Sequence, residues 1–247
     1  MILCLDVGNS RLKYGLFDDD GWHLQGALGH DAFDTLAAAL PARPTRITAC
    51  NVAGEVMRHR IEAFARQLGA PLDWLVSSAA ACGVTNGYDT PQQLGADRWA
   101  ALIAARALYK EPCLVVMAGT ATTIDALDGE GRFHGGLILP GLALMRSALA
   151  GNTADLPHAA GHYRLMPTNT DDAIASGTIH ATLGAIERMH ATLGENALIL
   201  LSGGAAGELA PWLGLPHCLI DNLVLEGLAV AATSGPGDKH TTFQLRT

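Results

Sequence analysis

The chain has 247 residues, of which 49% are apolar and 16% charged, and its net charge is −8. That apolar richness at this length supports one large domain or two of ordinary size and excludes a disordered chain. The acidic balance, with no basic face, excludes a broad nucleic-acid footprint.

In chain order, residues 1–28 read as a β-hairpin or meander. The apolar run Ile2, Leu3, Cys4, Leu5 meets Asp6 and a Gly8-Asn9-Ser10 turn, and Asp18, Asp19, Asp20 and Gly21 supply a second turn. A short helix is expected over 31–40, ended by Pro41 and Pro44, and a third strand over 46–52. The stretch 54–69 fits an amphipathic helix with Val56, Ile61, Phe64 and Leu68 as its apolar stripe. A strand at 72–76, a Gly-, Asn- and Pro-rich loop at 81–95 and a helix at 97–109 follow, the helix with Trp99, Leu102, Ile103 and Ala107 on one face. Lys110 to Pro112 end that helix and mark a candidate boundary between lobes 1–112 and 113–247.

The pattern then begins again. Residues 114–136 read strand, Gly turn, strand, acidic-Gly turn, strand, with Gly119 opposite Gly8, Thr120 opposite Asn9, Ala121 opposite Ser10 and Phe133 near the place of Trp22. This self-similarity suggests an internal duplication. Beyond it come a loop at 151–169, a long helix at 170–193, a strand at 197–204, a short helix, a last helix from Asp221 and a polar tail at 234–247. Strands leading and helices following in each half indicate mixed α/β layers, with a cleft between two lobes and both Gly turns facing it.

The five cysteines are odd in number, widely spread and without a C-x-x-C, which favours reduced thiols and a cytoplasmic protein. The opening MILCLD has no basic segment ahead of its apolar run, so no secretory signal is expected. No apolar stretch reaches the roughly 18 residues of a membrane helix, so no membrane partner is expected.

Three segments carry candidate chemistry. In the first, backbone N–H groups around Gly8 suit phosphate oxygens, Asp6 suits Mg²⁺, and Arg11 and Lys13 offset phosphate charge; the alternative is an ordinary hairpin turn. In the second, Gly119-Thr120-Ala121-Thr122 has the same logic, against a plain β-turn. In the third, Asp97 and Arg98 open a helix behind Gly95-Ala96, where Asp97 is either an N-cap or a functional carboxylate and Arg98 suits a carboxylate or amide ligand. Small residues Ala173, Gly177, Ala181, Gly184 and Ala185 give the long helix a face for close packing, in the core or in a dimer. His158 and His162 have i, i+4 spacing but no nearby third ligand. Gly203-Gly204 follows an apolar strand as a strand-to-helix turn, Asp125 faces a cleft or solvent, and Trp99 reads as core.

The stretches DVGNSRLKYGLF, GYDTPQQLGADRWAALIAA, GTATTIDAL with GGLILPGL behind it, NTDDAIASG and LSGGAAGEL occur in this order. Together they resemble type III pantothenate kinase, the bacterial enzyme of the first step in coenzyme A synthesis, from Ile2 to about Ala232. The resemblance implies a duplicated actin-like (RNase H-like) ATPase fold and a homodimer. It implies that Asp6, Val7, Gly8, Asn9, Ser10, Arg11, Leu12 and Lys13 hold ATP phosphates, with Mg²⁺ on Asp6, that Thr120 contacts ATP, and that Gly203-Gly204 lies near the adenosine. It further implies that Asp97 is the base for the pantothenate hydroxyl. Tyr88, Gly95, Ala96 and Arg98 would hold pantothenate, with Thr170 reaching in from the partner subunit. The family commonly carries an Asp that binds K⁺ or ammonium two residues before the Gly-Thr pair. Here Met117 stands there, opposite Asp6 in the internal alignment, and a thioether is a poor ligand for a hard cation. The alternatives are an actin-fold kinase for another small alcohol and an accessory regulatory protein.

Overall fold

In the computed structural model, which describes residues 1–153 and 161–234, the first three strands form the expected meander. β1 (Ile2–Val7) pairs antiparallel with β2 (Leu12–Asp18), and β2 with β3 (Gly21–Leu28). The expected helix at 31–40 is mostly a 3₁₀ turn (His30–Thr35) followed by the single turn α1 (Leu36–Ala39). Only Phe33 and Leu36 of this segment are buried, and Pro41 stops it before a longer helix can form. β4 (Arg46–Asn51) runs parallel to β1, and after α2 (Glu55–Leu68) the strand β5 (Leu72–Trp74) runs parallel to β4. The resulting order is β3-β2-β1-β4-β5. β1 lies in the middle with both faces covered, which is why its sequence runs apolar without alternation.

Period-two geometry sorts the β1 side chains between two environments. Leu3, Leu5 and Val7 join Ile47, Ala49, Met57, Ile61 and Phe64 in one core. Cys4 and Asp6 point to the opposite face. The buried stripe of α2 is Met57, Ile61, Phe64 and Ala65; Val56, expected within it, is 75% exposed. The periodicity at 55–68 accommodates Met57 equally well, and packing against the sheet selects it.

The expected loop at 81–95 contains the hairpin β6 (Ala80–Ala81) and β7 (Val84–Asn86) and a 3₁₀ turn at Pro91–Gln93. Its two-residue turn, Cys82 and Gly83, has φ of 50° and 76°, the left-handed pair that matches strand twist. α3 (Ala96–Leu108) is buried continuously from Arg98 to Ala105, so it is a core helix and not one with a single apolar face.

The second run repeats the first. β8 (Cys113–Ala118) pairs antiparallel with β9 (Ala121–Leu127), and β10 (Arg132–Pro140) lies beside β9. α4 (Leu142–Asn152) and α5 (Thr170–His190) intervene before β11 (Leu198–Ser202), which lies parallel to β8. α6 (Ala206–Leu209) leads to β12 (His217–Leu219), parallel to β11. The order β10-β9-β8-β11-β12 is that of the first sheet, strand for strand. Asp125, read from sequence as facing a cleft or solvent, is fully buried on β9 opposite Val115.

The chain forms two compact units. The first holds Met1–Lys110, Glu130–Phe133 and residues 222–234; the second holds Glu111–Gly129 and the described part of His134–Asp221. Within the first unit, Arg132 and Phe133 pair with Thr85 and Asn86 of β7. Also within it, α7 (Leu223–Thr233) packs on α3 and on β1. Among the described residues no helix is long and apolar enough to cross a membrane.

Candidate active site

In the first unit, strand register sets three side chains in a row. Lys13 on β2 lies opposite Asp6 on β1, and Cys50 on β4 lies opposite Asp6 on the other side. Cys50 Sγ donates a weak hydrogen bond to Asp6 Oδ1 at 3.7 Å. Cys4, two residues back on the same face, feels the charge of Glu226 on α7, whereas Asp6 feels Asp97 on α3. Burial pushes the Asp6 carboxyl up to about 6, and the Asp97 charge pushes the same way; Lys13 and the Cys50 thiol pull it down. Burial also holds the Cys50 thiol well above its ordinary range, with the two carboxylates adding to the effect, so Cys50 stays a neutral donor.

The turn that follows Asp6 is tied at its base. Val52 N–H donates to Val7 O at 3.0 Å, and Gly8 N–H donates to Arg11 O at 3.1 Å. His30 Nε2 donates to Gly8 O at 2.9 Å. Asn9, Ser10 and Arg11 are exposed, Leu12 is buried in β2, and Lys13 is half-buried.

Gly95, not Asp97, is the N-cap of α3. Asp97 is the second helical residue, and its Oδ1 accepts the Arg98 N–H at 2.8 Å. Gly95 carries no side chain where a Cβ would meet Asp97 Oδ1 at 2.7 Å, so the carboxylate can fold over the helix start. Arg98 is 4% exposed. Its Nη1 donates to the Tyr88 hydroxyl at 2.9 Å, and its guanidinium lies 5.6 Å from the Tyr88 ring centre and 5.9 Å from that of Phe133. Tyr88 in turn stacks on Phe133 at 5.3 Å. Asn86 sets the loop that carries Tyr88, accepting the Tyr88 N–H at 3.0 Å and donating to Pro91 O at 3.2 Å. Asp6, Lys13, Tyr88, Gly95, Ala96, Asp97 and Arg98 all belong to this unit.

Thr120 and Thr170 lie in the second unit. The Gly119-Thr120 turn is closed by Gly119 N–H to Ala121 O at 3.0 Å and by Gly141 N–H to Thr120 O at 2.9 Å. A Cβ at Gly141 would strike the Gly119 and Thr120 carbonyls. Gly203, at φ 105°, approaches the Ala118 backbone just as closely, which explains glycine there as a strand-to-helix turn. Met117 is the fifth of six residues in β8, as Asp6 is in β1, and lies between Thr123 and Ser202. Thr170 is exposed in the first turn of α5, behind an Asn169 cap that accepts the Asp172 N–H at 2.9 Å. His158 lies outside the described residues, and the His162 N–H donates to Asp172 at 2.8 Å. Among the described residues no cluster of three or more His, Cys, Asp or Glu is placed to hold a metal ion.

Cys50, His30, Asn86 and Phe133 were not candidates from sequence. Each reads there as strand, loop or core, and only the register and the long-range contacts bring them to the site.

The family model of type III pantothenate kinases matches residues 2–192. The type III pantothenate kinase of Aromatoleum aromaticum is 52% identical over 236 residues, covering 94% of this chain and 98% of that protein. That of an Azoarcus species is 47% identical over 244 residues, covering 96% and 93%. Among solved structures, a putative Baf family transcriptional activator from Campylobacter jejuni superposes with a TM-score of 0.61 at 21% identity, covering 92% of this chain and 95% of that one. A putative 2-dehydro-3-deoxygalactonokinase from Sinorhizobium meliloti gives 0.57 at 18% identity, covering 94% and 98%. These two likenesses establish the actin-like ATPase and sugar kinase fold.

Proposed function

This chain belongs to the type III pantothenate kinase family, and we propose that Asp97 receives the proton of the pantothenate hydroxyl while the Asp6 turn holds the nucleotide. The enzyme uses ATP to phosphorylate pantothenate to 4'-phosphopantothenate, at the first step of coenzyme A biosynthesis. The observation that carries the assignment is a pair of carboxylates within one unit, Asp6 and Asp97, close enough for Asp97 to oppose the ionisation of Asp6.

The residues fit a divalent cation. Asp6 is a buried carboxylate facing a second negative charge, an arrangement that a cation relieves, and Mg²⁺ needs few protein ligands when phosphates and waters supply the rest. Bound there, Mg²⁺ would neutralise charge on the transferring phosphates. Gly8, Asn9, Ser10 and Arg11, between Val7 at the end of β1 and Leu12 at the start of β2, form the turn that takes the phosphates, with Lys13 beside Asp6 as a further positive charge. Thr120 is a further nucleotide contact. Arg98, braced by Tyr88 and Phe133, suits the carboxylate of pantothenate, and Gly95 and Ala96 let the substrate reach the helix start.

Asp97 Oδ1 is engaged by the Arg98 N–H, which leaves Oδ2 to accept the hydroxyl proton. Phosphoryl transfer has a loose transition state, so orienting the hydroxyl matters more than strong basicity. Replacing Asp97 by Asn is expected to lower kcat by about 10²–10⁴ and to keep the fold, as a cooperative thermal melt will show. Measured turnover near that of the wild type would remove Asp97 from the reaction.

The side chain of Met117 does not fit K⁺ or ammonium, and we assign no monovalent cation to it. Turnover of pantothenate with Mg-ATP is expected to be the same in K⁺, ammonium and a bulky organic cation; a drop in the last would place a small cation on other atoms. The functional unit is a homodimer in which Thr170 serves the partner's pantothenate site. The five free thiols suit a reducing, cytoplasmic setting.

A further inference from the structure

We propose that His30 is a positioning residue for nucleotide binding, pinning the Gly8 carbonyl so that the turn after Asp6 presents its amides in one direction. The inference rests on the reading of that turn as the phosphate site. Gly8 has the widest conformational freedom of any residue in the turn, so the Gly8–Asn9 peptide is the part of it most able to rotate. That peptide is planar and trans, which places the Gly8 carbonyl and the Asn9 N–H on opposite sides. A side chain that draws the carbonyl one way therefore aims the Asn9 N–H the other way. His30 Nε2 does this from 2.9 Å. Because a carbonyl only accepts, Nε2 carries the proton, and it does so in the neutral Nε2–H tautomer and in the imidazolium alike.

The brace is itself held from behind. Arg60, on α2, donates from Nη1 to the His30 carbonyl at 2.7 Å and from Nη2 to Asp34 Oδ1 at 3.1 Å. Its guanidinium lies 5.0 Å from the ring centre of Phe33, which packs edge-on against Phe64 at 5.3 Å. A chain of contacts thus runs from the α2 core to the one carbonyl that sets the Asn9 amide. The strand ladders already secure the neighbouring Val7 and Leu12.

The test compares wild type, His30→Ala, His30→Phe and His30→Gln by calorimetric titration with Mg-ATP and by steady-state kinetics. Phe keeps the ring bulk without a donor, so at least one donorless variant retains the fold, as thermal melts will show. Loss of one organising hydrogen bond is expected to weaken ATP binding about five- to tenfold in Ala and Phe. Gln, which restores a donor, recovers most of the affinity, and the KM for pantothenate does not move. Equal ATP affinity in wild type and the donorless variants overturns the proposal, as does a parallel rise in both KM values or a failure of Gln to rescue. A wild type that binds ATP and leaves pantothenate unphosphorylated overturns the assigned reaction, while the His30 comparison is still decided by the titration.

Discussion

Asp6 is held where its charge is disfavoured, and this has a thermodynamic signature. Its carboxyl is raised from 3.8 to about 6, first by burial and then by Asp97. The native state therefore keeps a proton that the unfolded chain has released, and stability falls as pH rises through that window. At about 1.4 kcal/mol per pKa unit, the full penalty above pH ~6 is on the order of 3 kcal/mol, with the opposing pull of Lys13 already included. Asp6→Asn is accordingly expected to raise the melting temperature of the ligand-free protein at pH 7.5 while abolishing turnover. Its advantage should shrink as pH is lowered toward 4, where the wild-type carboxyl is protonated in both states. Thermal melts in a chelating buffer across this range check the sign, and an Asn variant less stable than wild type at pH 7.5 would contradict it.

α3 carries the start of the proposed acceptor site on one end and packs against α7 along its length. A Cβ at Gly227 of α7 would collide with the Ala100 carbonyl, backbone against side chain. Gly227→Ala must therefore push α7 away from α3, at roughly 1–3 kcal/mol for an overpacked core. Urea unfolding should register this loss. Adding Ala100→Gly should not recover it, because the obstruction is the Ala100 main chain; recovery in the double variant would show that the methyl groups were at fault. These same elements show how far the sequence could be read. β1, its turn and the α3 segment were legible because strong local signals, an apolar run into Asp-x-Gly and a Gly-Ala-Asp helix start, coincide with element ends. α4 was not, because only Leu142 of it is buried and no core-facing stripe sets its period; the loop expected at 151–169 overlaps only its last two residues. β12 has three residues, too few for a period to show. Asp6 and Asp97 were each named from sequence, but their adjacency depends on which helix covers the Cys4–Asp6 face of β1, a long-range packing outcome that no local pattern encodes. His30 and Cys50 went unseen for the same reason.

At the scale of the whole molecule, the second unit presents a surface that the described residues do not fill. Between α4 and α5 lies an apolar groove of about 810 Å³, lined among others by Leu144, Met145, Leu149, Thr170, Ile174 and Gly177. Leu144 is 49% exposed and Leu149 37% exposed, an arrangement suited to the proposed second copy of the chain. Thr170, the residue assigned to the partner's pantothenate site, lines the same groove, so dimerisation and catalysis are expected to fail together. Gly177 is the position from which to ask. A Cβ there meets nothing within 4 Å among the described residues, and Glu has better helix propensity than Gly, so Gly177→Glu leaves the fold of one subunit intact. It does place a charge where an apolar partner face would have to desolvate it. Sedimentation should then show a monomer with a melting profile of the folded subunit, an ATP affinity like that of the wild type, and turnover of pantothenate much reduced. Gly177→Ala serves as the control that adds volume without charge. A Glu variant that still sediments as a dimer places the interface elsewhere, and one that is monomeric yet fully active shows that the pantothenate site is complete within a single chain.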